Sequence, residues 1–407
     1  MGNASRRPRR PLSSREVNAR IGELRRQRIA SRDAPEDLDA PVDPDIRVTT
    51  RFPHHKLELI VDGEGVSWTS VVDFQQQIGS QTVRMGGIAG VGTRGDCRFQ
   101  GYGRRVMENS LRWMRREGFD TAMLYGIPAY YPKFGYAQAF PSIEFSLAVR
   151  DAERAVPNGF RFVSFARRHL GAVLRMYARN SAGRTGFTLR DPRHWRPFRK
   201  GVHYGTEAVC KVALDARERP VGYWVRDSSA ASATVIEVGF ATRAVFPDAL
   251  RAAARRAVRQ RVERIKLLVP EDDAFADFCK PFGLSQQTTW RPDGGGQVRM
   301  IRIRNALRKV APLLASRLDG TGCLTLRTNL DDVGLTWADG RLSIGERLPT
   351  GPVARMPQWA LAQLLYGYRT ARALVADGTL AASRPAVGIL ERLFPLAPHY
   401  QYLVDHF

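Results

Sequence analysis

The sequence predicts a mixed α+β protein: three packed units behind a charged N-terminal arm. Three observations carry this. The chain is 407 residues long, more than one ordinary domain of about 100–200 residues. Two successive stretches repeat one order of strands and helices, and the last hundred residues mix them differently. A hydrophobic share of 43% is enough to build real cores. No apolar run approaches the ~18 residues of a membrane span, and Arg6-Arg7-Pro8-Arg9-Arg10 leads into polar sequence rather than a secretory signal. The expected location is cytoplasmic. Cys97, Cys210, Cys279 and Cys323 are far apart and in no ligand spacing, so reduced thiols are expected, with neither disulfides nor a metal site.

Residues 1–50 read as an arm. Residues 1–29 carry nine Arg against Glu16 and Glu23, and residues 30–46 carry six acids and three prolines against Arg32. Opposed charge blocks with few aromatics predict a disordered tail that folds back on itself. The first unit spans 51–152. Lys56 to Val61 alternates as a strand and turns at Asp62-Gly63-Glu64-Gly65. Val66–Gln76 and Thr82–Val91 continue as strands. Tyr102–Glu117 is helical, with Val106, Ser110 and Met114 on one face, Met107 and Leu111 beside it, and Gly118 at the end. Thr121–Tyr125 is a strand, and Phe134–Val149 holds one or two more.

The second unit, 153–305, repeats that layout without sequence identity. A helix at Arg168–Ala178 precedes strands at Ala208–Leu214, Val221–Arg226 and Thr234–Phe240. A basic helix (Asp248–Val262), a strand (Arg264–Val269), a helix near Ala274–Phe282 and a closing strand near Val298–Ile303 follow. The third unit, 306–407, is α+β: a helix, strands near Cys323–Arg327 and Val333–Trp337, then helices at Pro357–Tyr366 and Thr370–Asp377.

The chemistry concentrates in Gly87–Arg105. A strand ending Gly90-Val91-Gly92-Thr93 runs through Arg98-Phe99-Gln100-Gly101-Tyr102-Gly103 into a helix. Glycines here let a phosphate approach the backbone, and the first N–H groups of the helix, with its dipole, favour an anion. A plain strand-to-helix turn is the competing reading. The segment resembles the acetyl-CoA motif of GCN5-related N-acetyltransferases (GNAT), whose loop holds the CoA pyrophosphate. Tyr130-Tyr131-Pro132-Lys133-Phe134-Gly135-Tyr136 resembles the Tyr-x-x-Phe-Gly-Tyr stretch of the enhanced intracellular survival (Eis) branch, as does the terminal Asp405-His406-Phe407.

That resemblance covers about 51–407. It implies tandem GNAT domains, the second degenerate, followed by a sterol-carrier-like domain. The implied cofactor is acetyl-CoA, held by Val91, Thr93, Arg98, Phe99, Gly101, Tyr102 and Gly103. Val91 N–H would face the thioester carbonyl, Tyr131 would be the general acid, and the Phe407 α-carboxylate the general base. Tyr130 is the alternative register for the acid. The implied activity is acetyl transfer to an amine-bearing acceptor by a homo-oligomer, a hexamer in relatives. A non-catalytic CoA- or lipid-binding protein of the same architecture is the alternative.

Two departures stand out. The strand and two helices that usually open a GNAT domain and wall its acceptor site are replaced by the arm. The second unit has Gly239-Phe240-Ala241-Thr242 and no glycine pair, so no CoA is expected there. The formal charge of +23 comes from 63 Lys and Arg against 40 acids, and only seven of the bases are Lys. So lopsided a ratio reflects coding bias toward Arg better than selection for phosphate contact. Nucleic acid is therefore not the expected partner, although the arm and residues 248–266 would be its surface. Near the cleft only Glu64 and Asp73 offer carboxylates, which weighs against a polycationic acceptor.

Overall fold

The computed structural model describes residues 33, 34, 36–202, 205–229, 232–292 and 294–407. Strands β1 (Ile46–Arg51), β2 (His54–Val61), β3 (Glu64–Ile78), β4 (Gln81–Thr93), β5 (Thr121–Gly126), β6 (Ala137–Phe140) and β7 (Ser142–Ala148) come from the first stretch, with helices α1 (Tyr102–Arg116) and α2 (Val149–Ala152). The β2–β3 hairpin turns where expected, with positive φ at both Asp62 (50°) and Gly63 (81°), the backbone that matches strand twist. Strand β8 (Arg161–Ser164), helix α3 (Leu170–Ser181), β9 (Ala208–Leu214), β10 (Pro220–Asp227), β11 (Ala233–Phe240), α4 (Phe246–Arg259), β12 (Arg264–Leu267), α5 (Ala274–Cys279), β13 (Ser285–Thr289) and β14 (Gly295–Met300) follow.

The sheets do not divide where the sequence does. Their orders are β1-β2-β3-β4-β5-β14-β6 and β13-β7-β12-β11-β10-β9-β8. Written from corresponding ends these are one arrangement, and in each the sixth strand belongs to the other stretch. Strand β14 inserts between β5 and β6, pairing Val298 with both Met123 and Ala137. Strand β7 lies between β12 and β13. The strand expected to close the second unit thus completes the first sheet. Sequence periodicity reports that a strand faces a core; it carries no information on which core.

The arm also differs from expectation. Its described part is not a loose tail: from residue 36 it is docked on α1 and the third unit. Arg105 binds Asp43 and Asp45, Arg115 binds Asp39 and Asp331, and the buried Arg299 binds Glu36 at 2.8 Å. Leu38 and Ile46 bury beside α1, and β1 extends the sheet by pairing with β2. The basic half, residues 1–29, lies outside the described residues.

The third unit comprises α6 (Ile303–Ala315), β15 (Gly322–Arg327), β16 (Asp332–Ala338), β17 (Arg341–Gly345), β18 (Val353–Arg355), α7 (Gln358–Leu365), α8 (Ala371–Ala376), β19 (Ala381–Ala382) and α9 (Arg384–Leu393), around a sheet ordered β17-β16-β15-β18-β19. It packs on the first sheet. Met85, Met123, Val298 and Met300 share one core with Leu307, Leu361 and Leu364. The opposite face carries α1, whose Val106, Met107, Leu111 and Met114 are buried as the helical spacing predicts. Among the described residues, no helix is long and apolar enough to cross a membrane.

Candidate active site

Strands β4 and β5 run parallel but pair only over Met85–Ile88 and Thr121–Leu124. Beyond Ile88, β4 continues to Thr93 while β5 continues to Gly126 against β14, so the two strands part. An irregularity at Trp68–Ser70 breaks the β3–β4 register at the same level, where Gly90 takes φ 56°. Val91 lies in this stretch. Its backbone has left the β5 side of the ladder, which leaves room for a carbonyl between the strands.

The loop after β4 is short. A single 3₁₀ turn (Gly95–Cys97) leads to Phe99 at φ 64° and Gly101 at φ 83°, and the helix starts at Tyr102. Gly101 has no side chain to cap α1, so the N–H groups of Tyr102 and Gly103 face outward without a side-chain partner. A Cβ on Gly103 would come 3.2 Å from the Tyr130 hydroxyl and 3.3 Å from Thr93 Oγ1. Arg98 is exposed and in no ion pair among the described residues, and the Phe99 ring is fully exposed. Arg94, by contrast, is held by Glu64 and Asp96. This is an open, donor-rich helix start, where a Cβ on Gly95 or Gly101 would meet nothing within 4 Å, and backbone donors of this kind are compatible with a phosphate group.

Both tyrosines of the Tyr130-Tyr131 pair stand at this end of the sheet, edge to face with ring centroids 5.0 Å apart. Tyr130 leans over the start of α1, with the Lys133 ammonium 4.0 Å from its ring centre. Tyr131 covers the end of β5, where any Cβ on Gly126 would collide with its ring. Burial raises both phenols above their usual pKa; Tyr131 is further raised by Tyr130, while Arg104 works against the rise at Tyr130. Each therefore keeps its proton at neutral pH.

The C-terminus is docked on the other face of the sheet. The Phe407 ring lies on Gly87 of β4, where a Cβ would approach to 2.7 Å, and packs 5.5 Å from Phe74. His406 stacks on Tyr125 at 3.6 Å, and burial, seconded by Lys200, lowers its imidazole to about 3. Asp405 enters a buried network that a single sequence gives no signal for. Arg190 bonds Glu237 at 2.6 and 2.7 Å and Asp405 at 2.9 Å. Trp195 Nε1 donates to Asp405 at 3.0 Å and Tyr223 to Glu237 at 2.6 Å. One guanidinium with two carboxylates satisfies buried charges that would otherwise be costly. It ties the chain end to the second sheet.

Three further elements bound the site. A cavity of 520 Å³ opens beside the C-terminus between β1–β3 and the segment 193–200, and Phe407 lines it. The second stretch thus supplies one wall of this cavity. Glu64 and Asp73, the two carboxylates expected near the cleft, are neutralised by Arg94 and by Arg84, the latter at 2.7 Å. In the second sheet, the turn corresponding to the phosphate loop is closed. Asn180 accepts from Phe240 N–H, Thr242 accepts from Ala244 N–H, and Pro247 at the start of α4 has no N–H. Among the described residues, no cluster of three His, Cys, Asp or Glu could hold a metal ion.

Residues 49–139 match the family model described as an acetyltransferase (GNAT) domain. No curated protein matches the chain. Solved structures share the fold. A probable N-acyltransferase from Enterococcus faecalis V583 aligns over 87% of this chain and 90% of its own at TM-score 0.73 and 15% identity. A GCN5-related N-acetyltransferase from Kribbella flavida aligns over 86% and 87%, at TM-score 0.67 and 18% identity. Eis1 from Mycobacterium abscessus aligns over 98% and 99%, at TM-score 0.58 and 16% identity. The first unit is an acetyltransferase (GNAT) domain, and with it the chain is an acyl-transferring enzyme.

Proposed function

We propose that the protein is an acetyl-CoA-dependent N-acetyltransferase that passes the acetyl group directly to a primary amine. The observation that carries this is the placement of Tyr131 and Phe407 on opposite faces of the first sheet, at the level where β4 and β5 part. A thioester lying in the gap would have Tyr131 on its α1 side and Phe407 on the other.

Acetyl-CoA would rest its pyrophosphate on the N–H groups of Tyr102 and Gly103, with Arg98 as countercharge and Phe99 free to cover it. Thr93 lies beside this site, its hydroxyl 2.9 Å from Ser67 Oγ. The Val91 N–H would polarise the thioester carbonyl and stabilise the tetrahedral oxyanion. An amine arriving on the Phe407 face must lose a proton. A carboxylate of reference pKa about 3.5 accepts it only from a partly desolvated position or through a water, and the half-buried Phe407, its ring on Gly87, would have to hold it so. On collapse, the Tyr131 phenol protonates the departing thiolate.

We read the second sheet as a degenerate copy that binds no CoA, the third unit as sterol-carrier-like, and the assembly as a homo-oligomer. The test is acetyl-CoA turnover over a panel of amines. Free CoA released in step with an acetylated amine supports transfer; CoA bound without turnover would make this a binding protein.

A further inference from the structure

The cavity beside Phe407 has a charge that the acetyl donor does not need. Its rim carries Arg51, Arg193, Arg196, Arg199 and Lys200. Of these only Arg193 is ion-paired among the described residues, with Asp191 at 2.8 Å. The one acidic side chain lining it, Asp405, is bound by Arg190 and Trp195. Asp191 is taken up by Arg193 and His194, and Phe407 itself lines the cavity. The field is felt locally: desolvation, then Arg196, Arg51 and Lys200, hold the His54 imidazole below its usual value. Four exposed cations that no side-chain carboxylate pairs among the described residues surround these 520 Å³, and together they favour an anionic ligand over a cationic one.

These cations do not serve the CoA phosphates. The pyrophosphate donors sit at the start of α1, whose body packs on the opposite face of the sheet from Phe407. We infer that the cavity receives an acceptor whose amine points at Phe407 and whose far end is anionic, a carboxylate or a phosphate. This rests on the transfer reading above and adds the substrate class. A polycation is excluded by the same charges.

The test uses the full chain and four amines with the same six-carbon spacer: 6-aminohexanoate, 6-aminohexyl phosphate, 6-amino-1-hexanol and 1,6-diaminohexane. Calorimetric binding and kcat/KM are both read. The two anionic amines should bind and react at least about ten-fold better than the alcohol, and the diamine worst; their ratio separates carboxylate from phosphate. The double reversal Arg196→Glu/Arg199→Glu, at two exposed positions, should invert the order of anion and diamine while the KM for acetyl-CoA stays unchanged. Equal or tighter binding of the diamine to the wild-type protein would overturn the inference even with turnover intact. So would no binding of either anionic amine, or a loss confined to acetyl-CoA. Anionic amines that bind while no amine is acetylated would leave the cationic site standing and remove the transfer reading instead.

Discussion

At Tyr131 a half-buried phenol covers the end of β5, and the proposed transfer gives its hydrogen to the departing thiolate. Burial raises its pKa above 10, the usual value, so the acid form dominates through neutral pH and is lost only as pH climbs past that raised value. The rate should therefore show a basic limb above pH 10. Tyr131→Phe should lower kcat about 100-fold or more, abolish that limb and leave acetyl-CoA affinity within about three-fold. Tyr130→Phe tests the other register. Its hydroxyl stands over Gly103, so its loss should act on the KM for acetyl-CoA more than on kcat. The reverse pattern in the two variants would exchange their roles. The terminal carboxylate is tested without touching the packed ring: two glycines appended after Phe407 move the charge and should cut kcat about 100-fold with acetyl-CoA KM unchanged. Full activity in that variant would take the chain end out of the mechanism.

At the scale of the element, α1 has its N-terminus bare for a ligand and its apolar stripe on the core. Gly103→Ala separates these two roles. Alanine favours a helix by about 1 kcal/mol over glycine, so Tm should hold or rise. Its Cβ would meet the Tyr130 hydroxyl and Thr93 at 3.2–3.3 Å, and the KM for acetyl-CoA should rise about ten-fold. An unchanged KM would place the pyrophosphate elsewhere. The corresponding element of the second sheet, α4, begins with a proline and a closed turn. The same topology therefore presents no anion site there.

At the scale of the molecule, the exchanged strands make the first two units interdependent. A fragment of residues 33–141 lacks β14, and with it the one strand that pairs with β6 among the described residues and one neighbour of β5. It should be insoluble or show little native circular dichroism, whereas a chain reaching residue 407 folds. A soluble, cooperatively folding fragment would show that the exchange is not needed for stability. Much was legible beforehand. The alternation of Lys56–Val61, the stripe of α1, the Asp62-Gly63 turn and the glycine loop are local patterns with local physical causes, and each stands where the sequence placed it. The sequence by itself determined the central strands and helices of the first two stretches, the glycine-rich turn into α1 and the aromatic character of residues 400–407. Only the tertiary structure decided which sheet β7 and β14 join, that the acidic arm docks on α1, and that Arg190 clasps Asp405 across 215 residues. Only it brought residues 193–200 beside Phe407. Those outcomes depend on partners far along the chain, chosen by packing and charge complementarity that no local period encodes.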